Sequence, residues 1–128
     1  MLKVVCAIIT KDKKILFTQR GEKMKFPLKW EFPGGKVEDN ETEEYALIRE
    51  IREELAVEIK LTGRIGEFTI NESMKLIPFM AVIQKGEIKL TEHNDYKWLE
   101  LNEITLENLD ILPADISVLK ELSNLKIA

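Results

Sequence analysis

The sequence has a single cysteine, Cys6, and a single histidine, His93. One thiol excludes an intramolecular disulfide, and its place in an apolar run makes Cys6 a small buried hydrophobe. The lone imidazole has no partner cluster, so His93 reads as a loop residue and not as a catalyst. No apolar stretch approaches the roughly 20 residues that cross a bilayer. The run Val4 to Ile9 is followed at once by Lys11, Lys13 and Lys14 without a small-residue cleavage site, so it reads as a strand and not a signal peptide. The expected location is the cytoplasm, with no membrane partner. A basic excess is also lacking: 19 Lys and Arg against 23 Asp and Glu leave a net charge of −4. That balance argues against a protein that grips long nucleic acid through phosphate neutralisation. A small phosphorylated substrate stays open, provided divalent cations stand between the two sets of negative charge. Repeats, linkers and low-complexity tracts are absent. At 128 residues, 45% hydrophobic and 33% charged, the chain fits one ordinary soluble domain over 1–128.

What is present divides into short apolar runs and two helical patterns. Val4 to Ile9 and Ile15 to Gln19, separated by the polar Thr10-Lys11-Asp12-Lys13-Lys14, predict a β-hairpin. Residues 20–31 read as a basic loop, and Phe32-Pro33-Gly34-Gly35 breaks regular structure. Thr42 can N-cap a helix that carries Glu43 and Glu44 in its first turn and runs to about Leu55. Strands are expected over 59–70, 76–84 and 96–101, with a turn at Lys85-Gly86-Glu87. Pro113 suits the first turn of a closing helix whose apolar stripe is Ile116, Leu119, Leu122 and Leu125, widened by Val118. Strands flanked by two helices suggest a layered α/β or α+β domain.

The first helix carries the chemistry. At about 100° per residue, Leu47, Ile48, Ile51 and Leu55 share one side, while Glu50, Glu53 and Glu54 converge roughly 120° away. Like charges at i,i+3 and i,i+4 repel by a few tenths of a kcal/mol per pair, a cost that a cation removes. Hard oxygen ligands at this spacing suit Mg²⁺ or Mn²⁺, which share the rest of their coordination with waters and substrate phosphates. Taken alone, the same spacing describes a solvated acidic face paired with Arg49 and Arg52.

The surrounding residues decide between these readings. Gly35, Glu41, Arg49, Glu50, Ile51, Glu53, Glu54 and Val57 resemble the Nudix box, Gly-x5-Glu-x7-Arg-Glu-U-x-Glu-Glu-x-Gly-U with U aliphatic. The box has glycine where this chain has Ala56, at a helix end that often takes a left-handed backbone. Trp30-Glu31-Phe32-Pro33-Gly34-Gly35-Lys36-Val37-Glu38 and Leu112-Pro113-Ala114-Asp115-Ile116 are similar to segments of MutT-type and CTP-pyrophosphohydrolase-type members. With Gln19-Arg20 the resemblance spans nearly the whole chain.

It implies a Nudix-type α/β/α sandwich with a mixed sheet, and a Mg²⁺ cofactor for which Mn²⁺ can substitute. The implied metal ligands are Gly35, Glu50, Glu53 and Glu54; the metal would neutralise the polyphosphate, orient a water and stabilise the leaving pyrophosphate. The implied reaction is nucleoside triphosphate and water to monophosphate and pyrophosphate. Arg49 is expected to orient the glutamates and tie the helix to the preceding loop through Glu41. Lys36 is placed to meet a phosphate, and either Glu53 or Glu92 is the general base. Nucleobase contacts are expected from Arg20, Phe32, Phe79 and Asp115, although both phenylalanines also fit a core. An ionised Asp115 only accepts hydrogen bonds and favours an exocyclic amino group such as that of cytosine; protonated, it also donates, which keeps oxidised purines in play.

The expected substrate is thus a small nucleotide, CTP, dCTP or an oxidised or methylated one in pool sanitation, and the expected assembly a monomer or homodimer. Two alternatives stand beside this reading. One is a hydrolase of ADP-ribose, a dinucleotide or a capped RNA end; the other is a non-catalytic nucleotide-binding module, which the complete set of box glutamates disfavours.

Overall fold

The computed structural model describes residues 1–103 and 109–125. It opens on a hairpin in which β1 (Leu2–Lys11) and β2 (Lys14–Gln19) are joined by Asp12 and Lys13, at φ 51° and 66°. A two-residue turn with both φ positive matches the twist of the flanking strands. The five-residue turn expected at Thr10 to Lys14 is therefore only two residues long. The remaining elements are β3 (Trp30–Glu31), β4 (Gly34–Lys36), α1 (Glu43–Leu55), β5 (Glu58–Arg64), β6 (Phe68–Asn71), β7 (Met74–Lys85), β8 (Asp95–Glu100), a 3-10 turn (Leu101–Glu103) and α2 (Pro113–Leu125). The basic loop is shorter than expected, because Trp30 and Glu31 pair with Gln19 and Thr18. The strand expected over 59–70 is two strands, interrupted at Gly66 with φ 146°.

The strands form one mixed sheet of order β3-β2-β1-β7-β5, with β4 on β1, β6 on β7 and β8 on β2. β1 runs parallel to β7 from Leu2↔Met74 to Ile9↔Ala81, yet meets β2 only at Thr10↔Ile15 and Lys11↔Lys14. There the two strands part. β4 fills the fork against Val4 to Cys6, while β2 carries on with β8 and β3. The fork is where the functional segment comes to lie.

α1 and α2 cover opposite faces, as the α/β/α expectation requires. Val5, Ala7 and Ile9 of β1 pack under α1 with Leu47, Ile51 and Leu55; Cys6 and Ile8 pack under α2 with Val118, Leu119 and Leu122. A central strand buried on both faces needs apolar residues at every position, which is why Val4 to Ile9 shows no alternation. Each fully buried Leu or Ile here contributes roughly 1.5–3 kcal/mol. The Leu125 side chain lies outside the described residues. Among the described residues, no helix is long and apolar enough to cross a membrane.

α1 starts as its sequence dictates: Thr42 Oγ1 accepts from the Tyr45 N–H at 3.1 Å. It ends on Ala56 at φ 60°, ψ 28°, whose N–H donates to Arg52 O. An L-residue in that region is strained by roughly 1 kcal/mol, and the Ala56 side chain is exposed, so it recovers little by packing. Ala56→Gly is therefore expected to raise the melting temperature by about 3–5 °C, read by thermal denaturation, with turnover unchanged.

Candidate active site

Two glycines let the carboxylates of α1 approach the backbone. A Cβ on Gly34 would collide with the Val5 carbonyl of the neighbouring strand, and one on Gly35 would collide with the Glu50 carboxyl group. With no side chain at either position, β4 seats on β1 and Glu50 lies directly against Gly35. The Gly34 N–H points to the Glu54 carboxylate.

Glu54 is the most constrained of the helix glutamates. Burial, then the charges of Glu50, Glu31 and Glu92, push its pKa up to about 9, against which the Gly34 N–H acts only partly. Its Oε1 is buried with no hydrogen-bond partner among the described residues. A loop from 86 to 94 closes over this end of α1. Lys89 N–H donates to Leu55 O, while the Thr91 N–H donates to Glu54 O and its hydroxyl to Glu53 O at 3.2 Å, satisfying carbonyls that the helix leaves open. Glu92 is thereby set beside Glu54, and Gly21 packs so tightly on the Glu92 carbonyl that a Cβ would not fit.

Arg49 organises the outer part of the cluster. Its Nε and Nη2 donate to Glu41 at 2.6 and 2.9 Å, and Nη1 donates to Glu50 at 3.0 Å and Glu53 at 3.3 Å. Nη2 also reaches the Lys36 carbonyl at 3.4 Å, so one guanidinium joins helix, loop and β4. The Glu41 carboxyl is held below its usual range by that pairing. The Lys36 side chain is exposed. Glu50 and Glu53 are turned onto Arg49, and among the described residues no three acidic, His or Cys side chains converge as a ready metal cage. The donor set nevertheless fits a hard divalent cation. Glu50 and Glu53 share one Arg49 nitrogen, Glu54 carries a buried oxygen without a partner among the described residues, and Glu50 rises from its ordinary pKa chiefly through burial. A bound cation removes the penalty that each of these records.

A second group lies under α2. Residues 110–112 dock on β3, with Trp30 N–H donating to Asp110 O and Leu112 N–H to Trp30 O. Asp115 is carried onto the segment between β3 and β4, where its Oδ2 accepts from the Phe32 N–H at 3.1 Å. It is 5% exposed, and burial pushes its pKa up to about 7 despite that bond and the nearby Arg20. Phe32 joins this group through its backbone: its ring is buried against Phe17, centroids 5.0 Å apart. Phe79 does not join it. Its side chain packs with Val5, Ala7 and Ile9 under α1, on the opposite face of the sheet. Met80, one residue on, is the β7 side chain that packs on the Asp115 side.

Glu31 and His93 were missed by sequence reasoning. Glu31 accepts from Arg20 Nη1 at 2.7 Å and bonds His93 Nε2 at 2.9 Å. His93 is 7% exposed, so it is a packed member of the site and not a free loop residue. The signal available was the pairing of Glu31 with Arg20 across the end of a hairpin; nothing local pointed to His93.

The arrangement therefore holds acidic groups that can accept a cation, beside a buried carboxyl paired with a backbone amide. Residues 1–122 match the family model described as NUDIX domain. The CTP pyrophosphohydrolase of Escherichia coli K12 is 34% identical, covering 100% of this chain and 96% of that protein. The 8-oxo-dGTP diphosphatase of Buchnera aphidicola subsp. Schizaphis graminum is 38% identical over 82% of each. Among solved structures, the E. coli ORF135 protein superposes with a TM-score of 0.80 at 32% identity, covering 98% of this chain and 91% of that one. The MutT protein of Methanosarcina mazei Go1 gives 0.82 at 23% identity over 99% and 96%, a likeness of fold.

Proposed function

Because the chain belongs to the NUDIX domain family, we propose that it hydrolyses nucleoside triphosphates to the monophosphate and pyrophosphate, acting in the cytoplasm as a monomer or homodimer. The observation that carries this reading is the buried Glu54 oxygen, without a partner among the described residues and set in the field of Glu50, Glu31 and Glu92, with Glu50 itself against Gly35. Gly35, Glu50, Glu53 and Glu54 would hold Mg²⁺, with Mn²⁺ as a substitute. When bound, that ion supplies charge neutralisation for the polyphosphate and a more acidic water. The rest falls to the chain itself. Arg49 orients Glu50 and Glu53, and its pairing with Glu41 keeps it there. Lys36, exposed at the end of β4, meets phosphate oxygens as a point charge. Glu53 or Glu92 takes the proton of the attacking water; both are exposed, as a group that exchanges protons with solvent must be.

Asp115 and the Phe32 backbone read the base, with Arg20 on the flank. A pKa of about 7 leaves both forms of Asp115 populated near neutrality. The ionised form accepts from an amino group, as on cytosine, and the protonated form also donates, as an oxidised purine needs. CTP, dCTP and oxidised or methylated nucleotides are therefore the substrates put first. The names of the E. coli and Buchnera relatives cover both kinds.

The test is a panel of normal, methylated and oxidised NTPs and dNTPs with Mg²⁺, ranked by kcat/KM for wild type and Asp115→Asn. Asparagine donates and accepts at every pH, so the variant is expected to shift preference toward oxidised guanine by on the order of tenfold. An unchanged ranking would mean that residue 115 does not read the base.

A further inference from the structure

His93 and Glu31 lie outside the metal set and outside the Asp115–Phe32 pair, yet they connect the two. The segment 31–34 gives the Gly34 N–H to Glu54 and the Phe32 N–H to Asp115. The Glu31 charge acts on both of those carboxyls. For a nucleotide with its phosphates at the α1 glutamates and its base at Asp115, Glu31 is the carboxylate whose charge reaches both ends.

Glu31 is clamped from two sides. Arg20 donates to Oε1 at 2.7 Å, and since a carboxylate so paired accepts only, His93 donates to Oε2 through Nε2–H at 2.9 Å. The His93 side chain is 2% exposed. Its segment is pinned at both ends: the Thr91 hydroxyl bonds the last carbonyls of α1, and the Asn94 backbone and amide bond Gln19. Two fixed donors use one lone pair of each Glu31 oxygen and leave acceptor capacity on both. An ionised carboxylate repels phosphate, so the substrate groups it can meet are neutral donors, and between phosphate and base those are the sugar hydroxyls.

We propose that His93 is a positioning residue: with Arg20 it fixes the Glu31 carboxylate between the α1 glutamates and Asp115, where Glu31 accepts a hydrogen bond from the 3′-hydroxyl of the bound nucleotide. The inference rests on the triphosphate reading above. It is tested with the best triphosphate of the panel and its 3′-deoxy analogue, following pyrophosphate release by wild type, Glu31→Gln, His93→Gln, His93→Asn and the Glu31→Gln/His93→Asn double variant.

Wild type is expected to prefer the 3′-hydroxyl substrate by on the order of tenfold in kcat/KM. Glu31→Gln and His93→Asn bring that ratio to about 1, and the double variant loses nothing further. His93→Gln keeps it, because the glutamine amide reaches where Nε2 stands and the asparagine amide does not. A purely structural role for His93 would lower both substrates together and leave the ratio unchanged, which overturns the proposal. If His93→Asn does not fold, Glu31→Gln decides: a wild-type ratio in that variant refutes it. Wild type that turns over neither substrate sinks the triphosphate reading and this inference with it, whereas turnover with no preference for the hydroxyl sinks the inference alone.

Discussion

Glu53→Gln is expected to lower kcat on the order of 10³-fold while shifting the melting temperature by no more than about 2 °C. The two halves of this expectation have separate causes. Glu53 is more exposed than Glu50, with 59% of its side chain open against 18%, and among the described residues its partner is Arg49 at 3.3 Å. Exposed substitutions of this kind stay within roughly 0.5 kcal/mol. The fold therefore has no stake in the charge, but the site does, because glutamine is isosteric yet neither ligates a hard cation as well nor takes a proton. Steady-state kinetics at saturating Mg²⁺, with circular dichroism melting, check both halves. Glu92→Gln serves as the comparison: a smaller loss there assigns proton transfer to Glu53. Near-normal turnover in Glu53→Gln would mean that the metal site is misplaced.

Metal-free protein is expected to lose thermal stability as pH rises from 6 to 9, by on the order of 5–10 °C, and Mg²⁺ is expected to restore most of it. Glu54 has a pKa near 4.5 when unfolded and about 9 when folded, so between those values the folded chain holds a proton that the unfolded chain has released. The stability linked to that proton is full below about 4.5 and is lost as pH rises through about 9. Asp115 acts with the same sign between 3.8 and about 7. Glu41 and Glu43, lowered by Arg49 and Arg64, act with the opposite sign. Their contribution is present above their ordinary pKa of 4.5 and lost only in acid, so it leaves the alkaline window untouched. Glu54→Gln removes the buried charge without changing its shape. It is expected to flatten much of the slope, raise the metal-free melting temperature near pH 9, abolish the Mg²⁺ effect and abolish turnover. Melting curves with chelator or Mg²⁺ across pH 6–9 read all four. A flat metal-free profile in wild type would show that Glu54 is not desolvated as described.

The parts of this site that were legible in the sequence are local ones. Glu50, Glu53 and Glu54 meet because helical periodicity brings i,i+3 and i,i+4 together, and Thr42 and Ala56 mark the helix ends through backbone chemistry confined to one turn. The contact of Arg49 with Glu41 spans only eight residues. Glu31 and His93 are 62 residues apart, and their meeting depends on β2–β3 register and on how the 91–94 segment docks on α1. No periodicity carries that information. Phe79 shows a different loss. β7 is buried on both faces, its apolar run has no alternation, and so nothing in the run says which of Phe79 and Met80 faces α2. A shift of one residue in that reading moves a side chain from one face of the sheet to the other.

Which phosphoanhydride bond is cut is read by product analysis with a single triphosphate. Wild-type protein with Mg²⁺ should release pyrophosphate and nucleoside monophosphate in equal amounts from the best nucleotide of the panel, and excess chelator should stop the reaction. Orthophosphate with nucleoside diphosphate, or no turnover of any triphosphate, would contradict the account.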